Sequence, residues 1–323
     1  MSQSPRYKWK LLRTGPIRLD GGGMFGVVPR VLWSRGLAPD EQNRITLGQN
    51  SLLLHRADPG GGPRRLIIEV GSGDKFGPKM RNIYGLEDRS IIDAITDAGA
   101  RCEDIERVIV THLHFDHAGG LTRKARHGES ADWVRPANDP EAPAGVKRTF
   151  PNARIIVQRR EWEDALANRS VMTRTYLRDH LEPIRDQLDL VESPAPVYRG
   201  PVPDRSQPPT LPPRERETEV LPGIHVFIVP GHTWGQQAVQ FTDDSGRQVV
   251  FTPDLMPTVH HIGAAYSMAY DVEPYITGVT KHWFLQTAVE QDWLLVLDHE
   301  PGNPLQRVRS DGKGWFALSP EER

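Results

Sequence analysis

Three histidines and one aspartate crowd the stretch Thr-His-Leu-His-Phe-Asp-His-Ala-Gly-Gly, residues 111–120. In extended geometry His112, His114 and Asp116 point to one side of the chain. His117 points to the other side. So many polar groups are costly to bury without partners, and imidazole and carboxylate suit Zn²⁺ and similar first-row ions. The stretch therefore predicts ligands for two cations.

Three further candidate ligands, His232, Asp254 and His299, lie later in the chain. Each follows an apolar run of the kind that predicts a strand. Residues that follow neighbouring strands meet at one edge of a sheet. One such position would carry little weight, but three in addition to the 111–120 stretch indicate a site that both halves of the chain build.

The elements that deliver these residues alternate in the first half of the chain. Leu66–Val70 predicts a strand, Ser90–Ala98 a helix, and Ile105–Val110 the strand before the histidines. Ser90 and Asp93 form a capping-box pattern at the start of that helix. This order indicates an α/β fold with the site at the carboxyl ends of its strands.

We expect a single domain over residues 1–323, because candidate ligands lie on both sides of its most irregular segments. A polar, breaker-rich stretch around 122–150 predicts a surface insertion close to the site. A proline-dense stretch around 194–213 predicts an extended surface connection and not a domain linker.

Three consecutive glycines precede Met24 and Phe25 in the segment Asp20–Gly26. Glycine allows another group to approach the backbone closely. The segment lacks the strand and helix context of a phosphate loop. Two interpretations remain: a hairpin turn, or a loop that leans over a pocket with Met24 and Phe25 as apolar lining.

The composition argues against several kinds of partner. The net charge is −2 with both signs interspersed, so no strong field attracts nucleic acid or an anionic membrane. No stretch has the length of a membrane span or the apolar core of a signal peptide. Cys102 is the only cysteine, which excludes an intrachain disulfide. We expect a soluble cytoplasmic protein with no nucleic-acid or membrane partner.

The ordered set of histidines and aspartates resembles the metallo-β-lactamase superfamily of metal-dependent hydrolases. The matching positions, in the family's order, are His112, His114, Asp116, His117, His232, Asp254 and His299. The resemblance covers nearly the whole chain. It implies a four-layer αβ/βα sandwich, in which two mixed sheets face each other, helices lie outside and a two-metal site lies at one edge.

The resemblance also implies how the ligands divide between the two metals. It implies that His112, His114 and His232 hold the first metal and that Asp116, His117 and His299 hold the second. It also implies that the carboxylate of Asp254 bridges the two. These nitrogen and oxygen ligands, with no cysteine among them, are compatible with Zn²⁺, Mn²⁺, Fe²⁺ and Co²⁺, and we expect Zn²⁺. Two such cations lower the pKa of a shared water enough to give hydroxide for attack on a carbonyl. Asp116 can orient that water and carry a proton to the leaving group.

Within the superfamily the chain is similar to the quorum-quenching lactonase and esterase branch. The segments that carry this likeness are Asp20–Gly26, Asp74–Gly77, Asp254–Thr258, Tyr270–Asp271 and His299–Pro301. In that branch a tyrosine near the metals helps to hold the carbonyl oxygen, which implies Tyr270 or Tyr266. Either tyrosine could instead be a core aromatic residue.

We therefore predict a dinuclear hydrolase that acts on a hydrophobic ester or lactone, with Asp116 and Tyr270 as catalytic residues. The predicted pocket residues are Met24, Phe25, His261 and Tyr266. Relatives of this kind often dimerise, so a homodimer is a further expectation.

Other functions of the same metal site stay open at this point. They are organophosphate or phosphodiester hydrolysis, thioester hydrolysis with Lys75, Lys79 and Arg81 as an anion-gripping patch, and an inactive binding protein. Two positions depart from the family pattern. Glu69 stands where aspartate is usual and could reposition the ligands. Pro253 stands where glycine commonly precedes the bridging aspartate and stiffens that turn.

Overall fold

The computed structural model describes residues 5–56, 61–134, 145–167, 175–197, 213–263 and 265–322. The strands are β1 Tyr7–Arg13, β2 Ile17–Asp20, β3 Arg44–Leu47, β4 Asn50–Arg56, β5 Arg65–Ile68, β6 Arg107–Ile109, β7 Thr122–Lys124, β8 Val146–Arg148, β9 Arg154–Gln158, β10 Leu188–Val191, β11 Thr218–Leu221, β12 Ile224–Ile228, β13 Gln237–Thr242, β14 Gln248–Thr252, β15 Leu294–Leu297, β16 Leu305–Ser310 and β17 Phe316–Pro320. The α-helices are α1 Gly21–Phe25, α2 Arg30–Trp33, α3 Pro78–Tyr84, α4 Ile91–Asp97, α5 Phe115–Ala118, α6 Arg159–Ala167, α7 Arg178–Leu181, α8 Pro213–Arg216 and α9 Pro274–Glu290. Short 3₁₀ turns cover Cys102–Asp104, Gly119–Leu121, Glu182–Gln187 and Val259–His261.

Two large sheets contain most of the strands. The first has the order β1-β4-β5-β6-β9-β10 and the second runs from β11 to β17 in chain order. In the first sheet β5, β6, β9 and β10 are parallel, whereas β1 and β4 pair antiparallel. The second sheet is antiparallel except for the parallel pair β14 and β15. Both sheets are therefore mixed.

The sheets face each other across a shared apolar core. Alternate residues of each strand point to opposite faces, so Leu52 and Leu54 of β4 enter this core while Leu53 faces the other way. The core includes Ile68, Ile109, Ile156, Val226, Phe241, Phe251 and Val296 from the two sheets. The burial of these two facing surfaces packs the first half of the chain against the second.

Helices cover the outer face of each sheet. On the first sheet, α4 and α6 bury Ile95 and Trp162 against the strands. On the second sheet, α9 buries Phe284 and its neighbours. The layers are helix, sheet, sheet and helix, which confirms the predicted four-layer αβ/βα sandwich. The capping box at Ser90 is also confirmed, because its backbone N–H donates to Asp93 Oδ2 over 2.8 Å.

The two irregular segments are only partly described. In the predicted insertion at 122–150, β7 and β8 pair antiparallel and Trp133 bridges to Val146. Residues 135–144 lie outside the described residues, as do residues 198–212 of the proline-dense stretch. Among the helices that the structure describes, none has both the length and the apolar character needed to cross a membrane.

The inter-sheet core gives a direct stability prediction. Leu52 is fully buried between the sheets, so Leu52→Ala should lower the free energy of unfolding by about 2–5 kcal/mol, measured by chemical denaturation. Leu166→Ala is the matched control, since it removes the same atoms from a side chain that is 40% exposed on α6 and should cost far less. Equal losses for the two variants would contradict the packing described here.

Candidate metal centre

The predicted ligands meet at one edge of the sandwich, where β6, β12, β14 and β15 end. One group of ligand atoms belongs to His112, His114, His232 and Asp254, and the other belongs to His117, Asp254, Asp298 and His299. Within each group these atoms lie within 4.8 Å of one another, and all the side chains are buried. The parallel pairing of β14 with β15 sets Thr252 opposite Leu297. Asp254 and His299 therefore emerge side by side.

Histidine nitrogens of the first group converge on one point. His114 Nδ1 lies 3.1 Å from His112 Nε2 and 2.9 Å from His232 Nε2. His232 Nε2 is also 3.1 Å from Asp254 Oδ2. Burial and the neighbouring imidazoles hold the pKa of His112 and of His114 well below its usual value. Both are therefore neutral, which is the form that binds a metal.

The second group shares the carboxylate of Asp254. Its Oδ1 lies 3.4 Å from His299 Nε2, and its Oδ2 lies 3.6 Å from His117 Nε2. The two imidazoles approach each other to 3.1 Å. Asp116 lies beside this group, with Oδ2 3.7 Å from His299 Nε2. Asp254 is thus the residue that contacts both groups.

Asp298 belongs to the second group, although the sequence analysis did not include it among the ligands. Its backbone carbonyl accepts from Asn50, and its Oδ1 accepts from the N–H of His299. Burial, and then the charge of Asp254, raise the pKa of Asp298 well above its usual value. The only signal in the sequence was its position directly before His299.

Four oxygen atoms from side chains or the backbone contact the histidine rings at Nδ1, the nitrogen that points away from the centre of the site. Glu69 Oε2 lies 2.7 Å from His117 Nδ1, and Asp271 Oδ1 lies 2.9 Å from His232 Nδ1. His299 Nδ1 donates to the Gly48 carbonyl over 2.8 Å, and His112 Nδ1 lies 3.1 Å from the Thr111 hydroxyl. In each ring this leaves Nε2 directed to the centre.

Glu69 shows how the chain accommodates its departure from the family pattern. Its backbone has a φ of 65°, a left-handed conformation that is uncommon outside glycine. One carboxylate oxygen holds His117 and the other accepts from the N–H of Thr111. The longer side chain therefore reaches the ligand that it orients and also ties down the start of the His-rich loop.

The donor set fits divalent cations. Asp254 Oδ1 and Asp298 Oδ2 are buried without a hydrogen-bond partner among the described residues. Buried oxygens of this kind require a compensating partner. Burial lowers the pKa of His232, but Asp254 and Asp271 outweigh that effect and raise it to about 10. A cation that displaced this proton would take over the same contact with Asp254.

The local geometry of the His-rich stretch differs from the extended run that the sequence analysis assumed. Strand β6 ends at Ile109, His114 has extended backbone angles, and Phe115–Ala118 then forms a helical turn. The backbone N–H of His117 donates to the carbonyl of His114 over 3.1 Å. This turn, and not strand alternation, places His117 in the second group, with its ring centre 3.9 Å from that of His112.

A small cavity of about 50 Å³ opens beside the two groups. Asp116 and Tyr270 line it together with Leu19, Met24 and Met268.

The three glycines begin α1 with Asp20 as its N-cap, so they form a helical turn and not a hairpin. A side chain at Gly23 would collide with the Tyr270 hydroxyl. Burial raises the pKa of Tyr270 to about 12, so its hydroxyl keeps its proton and can donate.

Three of the predicted pocket residues do not line this cavity. Phe25 is stacked between His261, at 4.5 Å, and Trp33, at 5.3 Å, and Tyr266 meets its edge. Burial lowers the pKa of His261 to about 3, and its ring nitrogens contact the Thr258 hydroxyl and the Met24 carbonyl. Phe25 and His261 are therefore fully buried against other rings, whereas Tyr266 is half-buried at the edge of this stack.

A buried lysine fixes the segment that carries this aromatic stack. Lys281 on α9 donates to the carbonyls of His261 and Tyr266, each over 2.8 Å. Sequence reasoning did not single out Lys281, because a lysine within a helix carries no local sign of burial. The contact joins α9 to the chain between Asp254 and Tyr270.

Comparison with curated proteins finds N-acyl homoserine lactonases. One from Bacillus thuringiensis is 27% identical over 181 residues, which is 56% of this chain and 48% of that protein. One from Bacillus cereus is 25% identical over the same length. The chain thus matches about half the length of these curated relatives.

Solved structures share the fold over the whole chain. A probable metal-dependent hydrolase from Staphylococcus aureus has a TM-score of 0.76 at 25% identity, covering 100% of this chain and 99% of that one. AidC, described as a dizinc quorum-quenching lactonase in complex with a product, has a TM-score of 0.67 at 16% identity, covering 100% and 97%.

The family model of the metallo-β-lactamase superfamily matches residues 46–299, from β3 to the last predicted ligand. Fold, sequence family and grouped histidines and aspartates agree with one another. The chain belongs to the metallo-β-lactamase superfamily.

Proposed function

We propose that this protein is a dinuclear metal-dependent hydrolase that attacks the carbonyl carbon of a hydrophobic ester or lactone and cleaves the ester bond. The observation that carries the proposal is the position of Asp254, whose carboxylate lies between two groups of imidazoles. Its Oδ2 is 3.1 Å from His232 Nε2 of the first group, and its Oδ1 is 3.4 Å from His299 Nε2 of the second. Similarity to N-acyl homoserine lactonases supports the choice of substrate class.

The residues of the two groups would hold the metals. His112, His114 and His232 would bind one cation, His117 and His299 with the neighbouring Asp116 would bind the other, and Asp254 would bind both. Asp298, in the second group, is a further candidate donor there. When bound, two divalent cations supply Lewis acidity and a water of lowered pKa. Zn²⁺ is the expected metal on the chemistry of these nitrogen and oxygen donors.

Asp116 is assigned the proton transfers. Its carboxylate lines the cavity beside the second group and is not orienting a ring from behind. At that position it can hold the attacking water, take its proton and pass a proton to the leaving oxygen.

We assign to Tyr270 the role of donating a hydrogen bond to the substrate carbonyl oxygen. Its hydroxyl rests above Gly23 at the cavity wall and retains its proton, so it can donate to an oxygen on which negative charge develops. The apolar wall of Leu19, Met24 and Met268 favours an alkyl or acyl substituent over a charged one.

Metal content and substrate preference test the proposal together. The purified protein should contain about two divalent metals per chain by elemental analysis. It should hydrolyse lactones or aryl esters, and a chelator should abolish that activity until metal is returned. A preference for phosphotriesters or phosphodiesters would refute the substrate class, and failure to bind metal after supplementation would refute the mechanism.

Asp116→Asn should lower kcat on the order of 10²–10⁴-fold, because the amide cannot take a proton from water. The fold should be unchanged by circular dichroism. Asp244→Asn, in the exposed turn between β13 and β14, is the matched control and should keep parental activity. An active Asp116 variant would remove the proton-transfer role.

Tyr270→Phe should lower kcat more than it raises KM, on the order of 10²–10³-fold, because the lost hydrogen bond strengthens as charge develops on the carbonyl oxygen. Tyr275→Phe serves as the control, since that ring is 55% exposed on α9. If Tyr270→Phe behaves like Tyr275→Phe, the tyrosine is a packing residue only.

A further inference from the structure

Glu161 is a fully buried carboxyl group that has no place in the mechanism above. It lies in the first turn of α6 and has no exposed surface. Burial raises its pKa. A glutamate in this position is costly unless both oxygens have partners. The partners it has therefore indicate what it does.

Three donors from three different segments reach this one side chain. The backbone N–H of Leu113 donates to Oε1 over 3.0 Å, and the Tyr176 hydroxyl donates to the same oxygen over 3.2 Å. The Thr233 hydroxyl donates to Oε2 over 2.6 Å. Glu161 thus contacts segments that are 48 and 72 residues away along the chain.

Two of these donors belong to the loops of the first imidazole group. Leu113 stands between His112 and His114, and Thr233 directly follows His232. His112 and His114 reach the site on the loop after β6 of the first sheet, and His232 reaches it on the loop after β12 of the second sheet. A carboxyl group that accepts from both loops fixes the distance between them.

Tyr176 adds a contact to the ring of His114. The centres of the two rings lie 5.1 Å apart, and the tyrosine is itself buried. Its hydrogen bond to Glu161 sets where that ring can lie. Glu161 therefore constrains His114 in two ways, through the backbone of Leu113 and through the ring of Tyr176.

The His232 loop is also pressed against the backbone of Glu161. A side chain at Gly235 would collide with the backbone nitrogen of Glu161. The contact between loop and helix is therefore close at both the backbone and the carboxyl end of this residue.

We propose that Glu161 is a positioning residue that holds His112, His114 and His232 in the spacing required to bind the first metal. The inference rests on the metal site of the proposed function. Glu161 itself is not a ligand. It acts through Leu113, Thr233 and Tyr176.

Two substitutions at Glu161 separate the loss of its hydrogen bonds from the loss of its charge. Glu161→Ala removes the acceptors and leaves the three donors without them. Glu161→Gln keeps the shape: its oxygen accepts from Leu113 and Tyr176, and its amide can donate to the Thr233 hydroxyl, which also accepts. The glutamine variant should therefore rescue what the alanine variant loses.

The experiment measures metal affinity in the full-length apo-protein, without reference to turnover. Co²⁺ is titrated and followed by its visible absorption, and Zn²⁺ affinity is measured by competition with a chelator. Glu161→Ala should weaken one of two equivalents on the order of 10–100-fold and change its Co²⁺ spectrum. Glu161→Gln should stay close to the parent in both readouts.

Double variants identify which equivalent is affected. In a His299→Ala background, where the first group is intact, Glu161→Ala should still weaken the remaining metal. In a His232→Ala background it should have no further effect. The opposite pattern, or equal weakening of both equivalents, would overturn the proposal.

A matched control separates positioning from general destabilisation. Asp243 is also a fully buried carboxylate, held by Ser245 and Arg247 at the far end of β13. Asp243→Asn should lower thermal stability and leave both metal affinities unchanged. If it weakens the first metal as Glu161→Ala does, Glu161 has only a structural role.

Failure of the Glu161 variant to fold and failure of the proposed function can each be told apart from failure of the role of Glu161. If Glu161→Ala does not fold, Thr233→Val and Tyr176→Phe each remove one donor and should weaken the same equivalent to a smaller degree. If the parent protein binds no metal, the proposed function fails. If the parent binds two and Glu161→Ala binds both as tightly, only the role of Glu161 fails.

Discussion

The architecture depends on one buried carboxylate. Burial opposes the charge of Asp254, yet His232, His299 and His117 outweigh it and hold the pKa of that carboxyl well below its usual range. An ion of this kind is tolerated in a protein interior only when charged or polar groups surround it. The edge of the sandwich is organised to provide them. Strand ends from both sheets converge on Asp254, and the loops after β6, β12 and β15 bring the imidazoles.

A second layer of polar contacts makes this arrangement specific. Each of the rings of His112, His117, His232 and His299 contacts an oxygen through its outer nitrogen, as Glu69 does for His117. These contacts fix which nitrogen faces the centre. Helices and apolar clusters on the outer faces then hold the sheets that carry both layers. The site is thus supported from behind by residues that need not touch a substrate.

Much of the fold and the convergence of the candidate ligands could be predicted from the sequence, because the signals are local. Apolar runs followed by histidine or aspartate gave the strand ends, and His232 and His299 were found in this way. The roles of Asp271 and Glu161 could not be predicted, since they arise from contacts 39 and 48 residues distant in the chain. Phe25 was expected in the pocket because it follows the three glycines, and His261 because it lies shortly after Asp254. Neither position distinguishes a side chain that faces a cavity from one that packs on another ring. Only the stacking geometry separates the two cases.

The anchoring of the chain between β14 and α9 has a consequence for how this protein could diversify. Asp254 is fixed at one end of this segment by a strand, and Lys281 fastens the middle to a long helix. Met268 and Tyr270 lie on the remaining stretch, between that fastening and α9. A substitution at Met268 can reshape the wall that meets a substrate, but Asp271 on the same stretch contacts His232 Nδ1 and cannot change without disturbing that ring. Selection for a new substrate and selection for metal binding therefore act on neighbouring residues of one short segment.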